Sequence, residues 1–160
     1  MDVLRRNTDY ALRMMVNLAS HFNGFDGEFT SARQLASEGN FSYQLGCKIL
    51  QKLHKANLVK SSMGTSGGFA LSRKPSEITL LEIITVLQGG IRLNSCLVGG
   101  KGCEFEPICE ISTKLACLQL YMDGYLGGIT LEEVLRSRSK SMNGILKGEK
   151  WIVQKETQVH

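Results

Sequence analysis

Residues 30–72, TSARQLASEGNFSYQLGCKILQKLHKANLVKSSMGTSGGFALS, constrain the fold more tightly than any other stretch of the chain. Thr30 can open a short helix, SARQLASE, which Gly39 ends. Ser42 can cap the next helix, YQLGCKILQKLHKA, on which Leu45, Ile49, Leu53 and Ala56 fall at i, i+4, i+8 and i+11. A helix pair joined by a tight glycine turn is a helix-turn-helix. LVKSSM then reads as a strand, GTSGG as a turn and FALS as a returning strand, so a hairpin wing follows the helix pair directly. GTSGG fits a nucleotide-binding loop poorly, because no helix opens after it and no lysine stands where a P-loop needs one.

The flanking segments extend this plan. Thr8 is the expected cap of a helix running to about Phe22, with Ala11, Leu12, Met15, Val16, Ala19 and Phe22 at helical spacing. Pro75 starts the connection after the wing, and Thr79 with Glu82 forms a capping box for a helix ending at Gly89-Gly90. Pro107 starts a further helix in which Ile108, Ile111, Leu115, Leu118, Met122 and Tyr125 alternate by three and four. That heptad stripe suits a partner helix, and packing on the chain's own helices is the competing reading. Gly127-Gly128 breaks the helix, and Thr130 with Glu133 caps a last one, LEEVLRS. The expected fold is mainly α with a small β-hairpin wing. It comprises a winged helix-turn-helix domain over 1–74, a cysteine loop and long dimerisation helix over 75–135, and a mobile tail over 136–160.

Charge separates the two ends. Residues 1–74 carry 10 Lys+Arg against 5 Asp+Glu, and residues 75–160 carry 9 against 10. A basic N-terminal half suits a polyanion. The outward face of the helix after Ser42 carries Tyr43, Gln44, Cys47, Lys48, Gln51, His54 and Lys55. Amide, hydroxyl and ammonium groups near a helix start are what a recognition helix offers to base edges, although a solvated polar face would look the same. The wing tip, Gly64, Thr65, Ser66 and Gly67, is small and uncharged, so its backbone N–H groups can approach phosphates closely. Lys60, Arg73 and Lys74 flank it. The expected polyanion is a double-stranded DNA operator.

CLVGGKGCEFEPIC, residues 96–109, gathers three of the five cysteines. The apolar runs are too short to span a bilayer and the start lacks a secretory signal, so no membrane association and a cytoplasmic location are expected. A reducing cytoplasm and an odd cysteine count argue against a disulfide framework. The Cys96-x6-Cys103-x5-Cys109 spacing fits zinc poorly. Iron–sulfur ligands, a redox-active thiol set and ordinary surface cysteines all remain open on spacing alone. Cys117 is expected to pack beside the heptad stripe, and Cys47 would be open to oxidation on a DNA-facing helix. There is no Ser-His-Asp set, no recognisable carboxylate pair and no cofactor loop, so an enzyme is not expected.

NTDYALRMMVNLA, FSYQLGCKILQKLHKANLV, SSMGTSGGFALS and the three-cysteine loop before a long helix together resemble one family over residues 1–135. It is the family of winged-helix regulators that includes IscR, the iron–sulfur assembly regulator, and NsrR, the nitric-oxide sensor. The resemblance implies a homodimeric transcription factor, usually a repressor, whose DNA binding follows the state of a 2Fe–2S or 4Fe–4S cluster. It implies Cys96, Cys103 and Cys109 as ligands, with a first gap one residue longer than usual. IscR-like members take a histidine as fourth ligand where this chain has Ser112. NsrR-like members take an aspartate of the other subunit, which Asp9 of TDYALR matches. The resemblance also places Ser42, Tyr43, Gln44, Cys47 and Lys48 in the major groove. Met63 and Cys47 stand where IscR-like members carry arginine and glutamate, so the operator is not carried over. Two other classes remain: a same-fold regulator answering to thiol oxidation or a small effector, and a cluster carrier that does not bind DNA.

Overall fold

Arg5 rather than Thr8 marks the start of the first helix in the computed structural model, which describes residues 3–24, 28–64, 66–94 and 109–137. Helix α1 spans Arg6–Ser20, and the N–H groups of Thr8 and Asp9 both donate to the Arg5 carbonyl. Thr8 lies inside the first turn, fully buried, where its hydroxyl donates to Gln88 instead of capping its own helix. Burial on α1 also takes in Met14 and Leu18, which the spacing pattern passed over, and leaves Leu12, Val16 and Phe22 at its margin.

Helix α2 spans Ala32–Gly39, capped by the Ser31 side chain, which accepts from Gln34 N at 3.2 Å. Thr30 does not cap it. It exchanges two backbone hydrogen bonds with Phe69, at 2.9 and 2.8 Å, so it adds a rung to the wing sheet. The turn residue in left-handed conformation is Asn40, with φ 54°, one place beyond the glycine. Helix α3 spans Tyr43–Lys55, and the Ser42 side chain accepts from Leu45 N, as the sequence predicts. Strands β1 (Val59–Ser62) and β2 (Gly68–Leu71) pair antiparallel in the register Val59 with Leu71 and Ser62 with Gly68. A Cβ on Gly68 would stand 2.5 Å from the Thr30 carbonyl oxygen, so only glycine lets the connector approach the wing this closely.

After a single 3-10 turn at Pro75–Glu77, helix α4 spans Leu80–Gln88. The Thr79 side chain caps it, and Gly89 ends it at φ 83°. The capping box is half formed: Glu82 N donates to Thr79 Oγ1, while the Glu82 carboxylate pairs with Arg73 at 2.5 Å. Helix α5 spans Glu110–Gly128, running through the glycine pair expected to break it. Helix α6, Leu131–Ser137, starts where Thr130 Oγ1 accepts from Glu133 N.

One hydrophobic cluster joins α1, α2, α3, β1, β2, α4 and α6, with Met15, Leu50, Leu53, Leu58, Ile83 and Leu131 among its least exposed members. It draws residues from both sides of the 74/75 boundary. Leu50, off the expected stripe of α3, is fully buried, and its replacement by Ala would cost about 2–5 kcal/mol through the cavity left. No residue of α5 is buried. That helix lies against α4 through one side, where Gln119 Nε2 donates to Ile91 O at 2.8 Å and its Oε1 accepts from Leu93 N at 3.0 Å.

Candidate nucleic-acid interface and cysteine segment

The core side of α3 is set by Ile49, Leu50 and Leu53, so its opposite side must face solvent. Ser42, Tyr43, Gln44, Lys48, Gln51 and Lys55 are exposed there, and Cys47 is half-buried. Close packing fixes the helix start. A Cβ on Gly46 would come within 3.1 Å of the Phe41 ring, which itself packs on Tyr10 with ring centroids 5.1 Å apart. The Ser42 oxygen accepts from Leu45 N, leaving its O–H free in bonding capacity to donate outward.

Two features of this face were not read from the sequence. The guanidinium of Arg33, from α2, sits 5.8 Å from the Tyr43 ring centroid, a cation–π contact that adds a second cation beside the start of α3. The only sequence signal was a basic residue two places after Ser31. The Cys47 side chain hydrogen-bonds the Tyr43 hydroxyl and holds that phenol above its ordinary value, against the opposing pull of Arg33. Tyr43 is therefore neutral, a donor and acceptor, throughout the physiological range.

On the wing, Gly64 and Ser66 are exposed, Gly67 is half-buried, and the Met63 side chain is fully exposed. Thr65 lies outside the described residues. A Cβ on Gly67 would collide with the Ser62 carbonyl oxygen, so the tip is closed by backbone alone. Arg73 is not a free phosphate donor here, since it is committed to Glu82 and to the Glu77 carbonyl. His54 of α3 donates from Nδ1 to Val59 O at 3.0 Å and ties that helix to β1.

Of the cysteine segment, Cys96, Cys103 and Ile108 lie outside the described residues, as does the tail beyond 137. Cys109 is a half-buried free thiol at the N-cap of α5. Ser112 Oγ donates to the Cys109 carbonyl at 2.7 Å, so its hydroxyl is turned onto its own backbone. Asp9 lies in the first turn of α1, about half exposed and paired with Arg13 at 2.9 Å. Among the described residues no group of three or more His, Cys, Asp or Glu is assembled within one chain. Cys117, beside the expected stripe, is exposed on the single chain. On the expected stripe, Ile111, Leu118 and Tyr125 are exposed, while Leu115 and Met122 are partly covered. Leu120 and Tyr121 add exposed apolar surface outside the stripe.

The sequence profile of the Rrf2 family, described as iron-dependent transcriptional regulators, matches residues 4–137. The HTH-type transcriptional regulator NsrR of Bacillus licheniformis is 28% identical over 137 residues, covering 84% of this chain and 93% of that protein. The HTH-type transcriptional regulator IscR of Aliivibrio salmonicida is 29% identical over 126 residues, covering 79% and 73%. Among solved structures, CymR, the global cysteine regulator of B. subtilis, superposes with a TM-score of 0.67 at 27% identity, over 85% of this chain and 98% of that one. These relatives are transcriptional regulators, not enzymes, and they share the winged-helix fold. Among the described residues no helix is long and apolar enough to cross a membrane. With its helix pair, wing and a profile match over residues 4–137, the chain belongs to the Rrf2 family of DNA-binding transcriptional regulators.

Proposed function

We propose that this regulator acts in the cytoplasm as a homodimeric repressor, and that its cysteine segment holds an iron–sulfur cluster that governs operator affinity. The observation that carries the reading is α5. A helix following three closely spaced cysteines leaves Ile111, Leu118, Tyr121 and Tyr125 exposed together, more apolar surface than one helix of a monomer normally shows. A second copy laid against α5 would cover it and set two α3 helices about 34 Å apart, one duplex turn. In each, Gln44, Tyr43 and Lys48 address base edges and phosphates, while the wing backbone from Gly64 to Gly67 takes the adjoining phosphates.

The donor set suits a cluster. Thiolates are the ligands such groups take, and Cys109 is free to serve with Cys96 and Cys103. Ser112 is engaged with its own backbone, and the fourth donor that the resemblance to NsrR-like regulators implies is the Asp9 carboxylate of the other subunit, about half exposed beside Arg13. A bound cluster supplies labile iron that responds to oxidants, iron supply or nitric oxide. The chain's own part would be mechanical: as ligands, Asp9 on α1 and Cys109 on α5 would tie the DNA-binding core of one protomer to the long helix of the other. That tie shifts operator affinity only as far as the cluster prefers one orientation of the two heads.

Anaerobic purification with visible spectroscopy and iron and sulfide assays tests this directly. A brown protein with matched iron and sulfide, and an operator affinity that differs between holo and apo forms, is the expected result. A colourless, iron-free protein, or equal affinity of both forms, overturns it.

A second reading has its own support. The Tyr43–Cys47 contact sets a thiol on the DNA-facing helix, and CymR, a cysteine regulator, has the same fold. In that reading oxidation of Cys47 weakens DNA binding without a cluster. Loss of oxidant response in Cys47→Ser, with Cys96→Ala unaffected, would select it.

A further inference from the structure

A groove of about 480 Å³ opens between α1, α2 and α6, apart from the outward face of α3. Its apolar wall is Met14, Val16, Leu35 and Val134. Its polar groups are Arg13, Asn17, Ser20 and Glu38. A volume of this size lies in the usual range for small-molecule sites.

The polar groups are not arranged as a self-satisfied surface. Asn17 Nδ2 donates to one Glu38 carboxylate oxygen, and Gln34 Nε2 donates to the other at 3.0 Å. Those bonds hold the carboxylate in place and keep it below the usual carboxylate range, with the Gln34 bond the largest cause. The Asn17 amide oxygen is left over. It is buried without a partner, alone in this among the side-chain polar atoms of the described residues. That oxygen is closed to solvent, so the acceptor the groove presents is the Glu38 carboxylate. One turn before Asn17 on α1 stands the Arg13 guanidinium, whose one close partner is Asp9.

We propose that this groove binds a free α-amino acid with an aliphatic side chain. The ammonium group pairs with the Glu38 carboxylate, which Asn17 and Gln34 hold in place. The amino acid's own carboxylate pairs with Arg13, which has N–H groups beyond the one facing Asp9. The side chain lies on Met14, Leu35 and Val134. Because α2 supports α3 and α6 packs on α1, a ligand here would bridge the first helix of the DNA-binding pair to the C-terminal helix. The binding itself does not depend on the cluster reading.

The test is an amide NMR titration of the full chain with L-leucine. Isoamylamine and 4-methylpentanoate serve as probes lacking the carboxylate and the ammonium group respectively. The expected result is saturable shifts at the Asn17 side-chain amide and at Ser20, with a Kd on the order of 1 mM and each half-probe about tenfold weaker. Glu38→Gln, with an unchanged far-ultraviolet spectrum, weakens L-leucine about tenfold, and Arg13→Gln brings it down to the affinity of isoamylamine. Absence of saturable shifts, an equal response to all three probes, or unaltered L-leucine affinity in Glu38→Gln would overturn the assignment.

Discussion

Thr8 Oγ1 donates a 2.7 Å hydrogen bond to Gln88 Oε1 across a separation of 80 residues. The same amide oxygen accepts from Arg5 N at 3.0 Å, and Gln88 Nε2 donates to Val3 O and Gly90 O. One side chain at the end of α4 thus fixes the segment that leads into α1. Gln88→Ala leaves the fully buried Thr8 hydroxyl without an acceptor and should cost about 1–3 kcal/mol in a urea titration. Adding Thr8→Val to that variant should recover most of the loss, since removing both partners of a hydrogen bond is close to neutral. No recovery would place the cost in the Arg5 and Val3 contacts instead.

Lys48→Ala should weaken all DNA sequences alike and reduce the slope of log affinity against log salt by about one. Gln44→Ala should leave that slope unchanged and cost about 1–3 kcal/mol at one base pair of the operator. Fluorescence anisotropy on specific and non-specific duplexes at several salt concentrations separates the two. Identical losses on both duplexes for Gln44→Ala would remove that residue from base recognition.

Leu118→Glu should give a folded monomer, read as a halved mass in sedimentation velocity with a helical far-ultraviolet spectrum retained. The fold survives because no residue of α5 contributes to the buried core. Operator affinity should fall with the mass, since each head then binds alone. An unchanged mass would show that copies associate through another surface.

Titration of Tyr43 carries a defined sign. Its folded value is raised, chiefly by the hydrogen bond to Cys47, so its contribution is complete below the ordinary tyrosine range and disappears as pH rises through the elevated value. Cys47→Ala should bring the Tyr43 tyrosinate absorbance in at lower pH. Glu38 has the opposite sign: its value is lowered by Gln34 and Asn17, so its contribution is present above the ordinary carboxylate value and fades as pH falls through the depressed one. Gln34→Ala should move that fade to higher pH, as followed by the Glu38 carboxylate NMR shift.

The parts of the molecule legible in the sequence are those set by neighbours along the chain. Ser42, Thr79 and Gly89 act at the ends expected of them, and the hairpin forms about GTSGG, because caps and turns depend on a few adjacent residues. Thr8 and Thr30 failed as caps for one reason: each found a partner far away, Gln88 and Phe69, that no local pattern encodes. Arg33 escaped notice because its contact with Tyr43 crosses from one helix to the next. The groove polar set likewise exists only once α1, α2 and α6 are packed. The glycine pair in α5 misled because two glycines weaken a helix without forbidding it.

The wing glycines divide the hairpin into two regimes of inheritance. At its root, any side chain on Gly67 or Gly68 meets a backbone carbonyl oxygen. At its tip, Met63 is fully exposed, and Gly64 has open space around it but is held to glycine by its φ of 111°. Drift among descendants of this chain is therefore channelled: Met63 and Ser66, both exposed, are free to change chemistry, while Gly64, Gly67 and Gly68 stay fixed. New operator preferences can arise at the tip without refolding the sheet that carries it.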